Sequence, residues 1–101
     1  MSWATVYINK LQAGETVQFR PRGNSMTGKV NSGQLCTVEP IKDHNTLKKG
    51  DVVLCKVLGN QYLHLINAIS GERFQIANNH GRINGWTPQK NVYGKLIKVE
   101  N

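Results

Sequence analysis

The chain has 101 residues, 39% of them apolar and 19% charged, which suits one folded domain with a modest core and excludes a disordered tail. No apolar run approaches the ~20 residues that cross a bilayer, and no basic segment leads into an apolar stretch at the N-terminus, so an unprocessed cytoplasmic protein without a membrane span is expected. Thirteen Lys and Arg against six Asp and Glu give a formal net charge of +7, which favours acidic partners, protein or nucleic acid. The lysines are scattered along the chain rather than gathered into one tract.

Trp3, Tyr7 and Leu11 recur at a spacing of four, with Ser2 available as an N-cap and Gly14 as a stop. This predicts a short N-terminal helix, with a strand over Thr5–Ile8 as the competing reading. After Gly14 the pattern changes to short β-type runs: Glu15–Phe19, Leu35–Glu39, Asp51–Val57, Tyr62–Ile69, Arg73–Ala77 and Val92–Val99. Turn chemistry separates them. Leu58-Gly59-Asn60-Gln61 reads as one hairpin and Ser70-Gly71-Glu72 as a second. Strands at this spacing predict a mainly β fold, a coiled sheet or partial barrel, in a single domain over residues 1–101. Cys36 and Cys55 lie in apolar runs with no Cys-X-X-Cys spacing, which reads as two buried thiols rather than a disulfide or a zinc site. No cofactor is expected.

The chemistry centres on Gly23-Asn24-Ser25-Met26, which follows the rigid, basic Arg20-Pro21-Arg22. Gly23 permits a tight turn and close approach of a substrate, and Ser25 becomes a candidate nucleophile on that turn. A serine needs a base. Of the three histidines, His44 and His80 lie in polar stretches and read as loop residues. His64 sits in Tyr62-Leu63-His64-Leu65-Ile66, where strand alternation puts Tyr62, His64 and Ile66 on one face. A mid-strand histidine needs a hydrogen-bond partner, either a backbone carbonyl or, functionally, the Ser25 hydroxyl. The run Asn78–Trp86 is rich in Asn and Gly and reads as a loop. Its Asn79, Arg82 and Trp86 are candidate binding residues alongside Arg20, Arg22 and Met26.

Five short motifs stand in a familiar order: Gly23-Asn24-Ser25-Met26, Lys49-Gly50-Asp51-Val52-Val53, the His64 strand, Ala77-Asn78-Asn79 and Val92-Tyr93-Gly94-Lys95-Leu96. Over roughly residues 16–99 the chain resembles the LexA/signal-peptidase-like serine peptidases. The resemblance implies a Ser–His pair, Ser25 as nucleophile and His64 as base, because no lysine lies between Tyr62 and Ile69. It implies the Ser25 N–H as oxyanion donor beside Gly23, and it puts Asn78 where the family carries the aspartate that orients the base. The chain departs from the family in that a bare domain is expected, without the membrane anchor of the signal peptidases or the DNA-binding domain of the repressors.

Three functions follow as expectations. The first is a serine endopeptidase-like domain that cuts a protein or its own chain through Ser25 and His64. The second is a non-catalytic regulatory module of the same fold, phage- or mobile-element-encoded, that docks on a host protein through Arg20, Arg22 and Arg82. The third is nucleic-acid binding through Lys and Arg, with Trp3, Trp86 or Tyr93 stacking on bases.

Overall fold

The computed structural model describes residues 3–101, and it folds them as one short helix ahead of a seven-stranded antiparallel sheet. The elements are α1 (Thr5–Gln12), β1 (Val17–Phe19), β2 (Leu35–Pro40), β3 (Val52–Val57), β4 (Asn60–Ser70), β5 (Arg73–Ala77), β6 (Ile83–Pro88) and β7 (Val92–Glu100). Their order across the sheet is β1-β2-β7-β3-β4-β5-β6, so the last strand of the chain is inserted between the second and third. The protein is mainly β with a short N-terminal helix. The sheet coils but does not close into a barrel, since β1 and β6 are its two free edges.

Helix wins over strand at Thr5–Ile8 because Ala4, Ile8 and Leu11 share one buried face. The Ser2 cap lies outside the described residues. Gln61 of β4 holds the start of the helix: its Oε1 accepts from the Ala4 N–H at 3.1 Å and its Nε2 donates to Thr5 Oγ1 at 3.1 Å. Gly14 ends the helix as expected, at φ +88°, with its N–H donating to the Leu11 carbonyl at 3.0 Å. The helix lies close against the sheet at Gly94. A Cβ there would stand 2.6 Å from Val38 Cγ1 and 2.8 Å from Leu11 Cδ1.

The strong apolar run of β3 is buried on both faces. Val52 and Leu54 join the core under α1, with Ile8, Leu11, Val38 and Leu63. Val53, Cys55 and Val57 join a second core with Ile66, Phe74 and Ile76. Cys36 belongs to the first core and Cys55 to the second, so both thiols are buried and free, and burial pushes Cys55 up to about 12.

The second core sits inside the coil of β3 to β6. Register shifts leave one unpaired residue at Asn67 in β4, Asn84 in β6 and Tyr93 in β7, and such bulges bend and twist the strands that carry them. The bend brings β6 back over β3, where the buried Thr87 Oγ1 donates to the Lys56 carbonyl at 2.7 Å. The stretch Asn78–Trp86, read from sequence as a loop, is therefore a loop only to Arg82, and Ile83–Pro88 is an edge strand. The Asn84-Gly85 pair, which has the composition of a turn, forms the bulge.

Candidate active site

Ser25 occupies an irregular turn between β1 and β2 rather than a regular element. Gly23 enters it at φ +120°, a conformation that excludes side chains, and its N–H donates to Ser32 Oγ at 3.1 Å. That engagement removes Gly23 as an oxyanion donor. Met26 and Val30 anchor the turn from below, both buried in the core under α1. Met26, expected as a binding residue, is thus chiefly a core anchor, although its side chain also forms part of the groove wall. With Met26 pointing inward, Ser25 is exposed.

A strap from the far side of the sheet fixes the turn. The Asn79 N–H donates to the Ser25 carbonyl at 2.9 Å, and Asn79 Nδ2 donates to the Thr27 carbonyl at 2.8 Å. His80 Nε2 donates to the Asn24 carbonyl at 2.6 Å. Asn78 shapes the strap, its Oδ1 accepting from the His80 and Arg82 N–H groups, each at 2.9 Å. Asn78 and Asn79, expected as orienting and binding residues, therefore serve the backbone that positions Ser25. Gly28 fits the same contact, since a Cβ there would lie 3.1 Å from Asn79 Nδ2. Among the described residues the Ser25 N–H has no acceptor, which leaves it free for a ligand.

His64 is 7% exposed and lies directly against the turn. Its Nε2 is 3.1 Å from Ser25 Oγ, and its Nδ1 is 2.7 Å from Asn84 Oδ1. Asn84, not Asn78, holds the second ring nitrogen. It can do so because it is the extra residue of the β6 bulge, where Ile76 pairs with Gly85 and Ala77 with Ile83. An amide oxygen accepts only, so this arrangement keeps the proton on Nδ1 and leaves the Nε2 lone pair facing the serine hydroxyl. Tyr62 stacks on the imidazole at 4.7 Å between ring centroids and 23° between planes, which confirms the shared strand face and restrains the ring.

Burial pulls the His64 pKa below its ordinary 6.5, and the Asn84 hydrogen bond offsets part of that effect. The imidazole is therefore neutral at physiological pH, the state a general base requires. The other two histidines are structural. His44, expected to be a solvated loop residue, ties its 3-10 turn to the Val92 carbonyl at 2.8 Å, and His80 belongs to the strap.

Ser25 and His64 open onto a groove of about 480 Å³. One wall is aromatic: Tyr7 stacks on Phe19 at 4.6 Å between centroids, and Trp3 lies 5.5 Å from Phe19. Arg20, Pro21 and Arg22 also line the groove. Asn79, Arg82 and Trp86 do not line this groove. Arg82 is exposed at the end of the strap, and Trp86 lies on edge strand β6 opposite Gln75, exposed at 37%.

Comparison of the chain with protein-family models, with curated proteins and with solved structures yields no match.

Proposed function

We propose that the protein is a serine peptidase-like domain of the LexA/signal-peptidase-like type, in which Ser25 attacks a peptide carbonyl and His64 is its base. The observation that carries this reading is the Ser25 Oγ, His64, Asn84 relay, with contacts of 3.1 and 2.7 Å and the imidazole in the tautomer that accepts a proton. As Ser25 Oγ bonds to the carbonyl carbon, its proton passes to His64 Nε2, and the free Ser25 N–H faces the developing oxyanion. His64 then delivers that proton to the departing amine, leaving an ester on Ser25. Water, deprotonated by the same nitrogen, attacks the ester and returns the serine. Asn84 holds the ring in place throughout, the role an asparagine fills in cysteine proteases of the Cys-His-Asn kind.

The reading rests on geometry reached from three separate parts of the chain. A surface serine meets a nearly buried histidine, and a bulge aims an amide at that histidine's far side. Bulges that re-aim side chains beside active sites are a recurring device. The test is digestion of a diverse pool of unfolded peptides, with new termini identified by mass spectrometry. Cleavage by the wild-type protein that disappears in Ser25→Ala supports the proposal, and identical peptide maps for the two proteins refute it.

Asn84 also favours a second reading, a binding module of the same fold. An amide stabilises an imidazolium less than a carboxylate does, so a site that keeps its shape while holding a partner needs no more than this. On that reading, charge reversal at the groove arginines abolishes partner binding and Ser25→Ala leaves it intact.

A further inference from the structure

The groove beside Ser25 has a chemical character that the relay does not require. Its aromatic wall presents Trp3, Tyr7 and Phe19, while Arg20 and Arg22 border the approach to the serine. No carboxylate lines it among the described residues, and His64 is neutral, so the two guanidinium groups are its only formal charges. Among the described residues neither arginine is in an ion pair; the pairs formed are Asp51 with Lys95 at 3.7 Å and Glu100 with Lys98 at 3.5 Å.

The two arginines differ in how they are held. Arg20 Nη1 donates to the Gly33 carbonyl at 2.9 Å, which fixes the guanidinium and leaves its other donors for a ligand. Arg22 is exposed, with no acceptor among the described residues, three positions before Ser25 on the same turn. Pro21 between them limits its own backbone to one φ, which restricts the chain that carries both side chains. A site of this volume with apolar walls and a few fixed charges suits a short segment of chain rather than a flat surface.

We infer that the groove selects a peptide segment carrying a large apolar side chain with a carboxylate side chain within two or three residues of it. The apolar group packs against Trp3 and Tyr7, which lie on the buried Phe19, and the carboxylate pairs with Arg22, assisted by Arg20. The inference deepens the peptidase reading and rests on it for the identity of the reacting bond. Binding to the groove can be measured without catalysis.

The experiment uses Ser25→Ala protein and dye-labelled peptides that differ only in two positions, Phe or Ser at one and Glu or Lys two residues away, followed by fluorescence anisotropy. The Phe/Glu peptide is expected to bind tightest. Exchange of Glu for Lys should weaken it roughly tenfold, and the difference should shrink as salt rises. In an Arg22→Glu background the Glu/Lys order should reverse, while Arg22→Lys should keep it. Circular dichroism of each variant establishes that it is folded. Equal affinity for all peptides, an order unchanged in Arg22→Glu, or displacement of the peptide by a single-stranded oligonucleotide overturns the inference. The two proposals fail separately. Charge-selective binding with no cleavage by wild-type protein sinks the peptidase reading and sustains the groove, whereas cleavage indifferent to charge does the reverse.

Discussion

On the proposed peptidase reading the chemistry turns on Asn84, and its replacement by aspartate has a calculable effect. The substitution keeps the shape and puts a carboxylate where the amide oxygen now stands, 2.7 Å from His64 Nδ1. Opposite charges about 4 Å apart interact by about 4 kcal/mol at an effective dielectric constant of ~20. Desolvation of the new carboxylate, next to a ring that is only 7% exposed, cancels part of this. A neighbouring opposite charge typically moves a titration by about 1–3 pH units. The burial that now holds His64 below 6.5 is thereby overcome, and the histidine becomes a stronger base that stays protonated to higher pH. The assay is the rate of Ser25 modification by a fluorophosphonate as a function of pH. In wild-type protein the rate should rise with a midpoint below 6.5 and then stay level through neutrality. In Asn84→Asp the midpoint should move to higher pH and the plateau should be faster. Asn84→Leu, which removes the acceptor at similar size, should lower the plateau by roughly 10²–10⁴. An unmoved midpoint in Asn84→Asp, together with a wild-type rate in Asn84→Leu, would refute the assignment of Asn84 as the group that positions the base.

Three further outcomes test the fold around the site. Gly94→Ala places a Cβ 2.6 Å from Val38 Cγ1 and 3.0 Å from the Glu39 carbonyl, and should cost about 1–3 kcal/mol in urea unfolding; an unchanged midpoint would mean that α1 does not pack as described. Leu58 adopts φ +49° at 85% exposure in the β3–β4 hairpin, so Leu58→Asn should raise stability by about 1 kcal/mol, and a loss would show that the leucine is held by contacts that outweigh its backbone strain. Because the folded His64 titrates below its unfolded value of 6.5, the unfolded chain binds more protons between the two. Stability present above 6.5 should therefore fall as the pH drops through the depressed folded value, and His64→Gln should flatten that part of the curve. Parallel curves would place the pH dependence elsewhere.

The parts of the site that were legible in the sequence are those governed by local pattern. A strand period put Tyr62 and His64 on one face, and a glycine before Ser25 marked a tight turn. The apolar run at Asp51–Val57 announced a strand, which the structure buries on both sides. The residues that complete the site are set by register, which short-range pattern does not encode. Asn84-Gly85 has the composition of a hairpin turn, and only the pairing of Gly85 with Ile76 and of Ile83 with Ala77 makes Asn84 a bulge aimed at His64. Asn78 was assigned by its place in a motif order, yet its side chain is used by the N–H groups two and four residues on. The strap had the signal of an amide-rich loop, but its targets, the carbonyls of Asn24, Ser25 and Thr27, lie more than fifty positions away in the chain. The aromatic wall was half visible: Trp3 and Tyr7 shared a helical spacing, while Phe19 joins them only through packing of α1 on β1.

The most direct measurement is the site of covalent modification by a fluorophosphonate, mapped by mass spectrometry in wild-type, Ser25→Ala and His64→Gln proteins, each shown to be folded. The account predicts one adduct, on Ser25, absent from Ser25→Ala and formed far more slowly in His64→Gln. An unmodified Ser25 in the wild-type protein, or an adduct that forms equally fast without the imidazole, would contradict it.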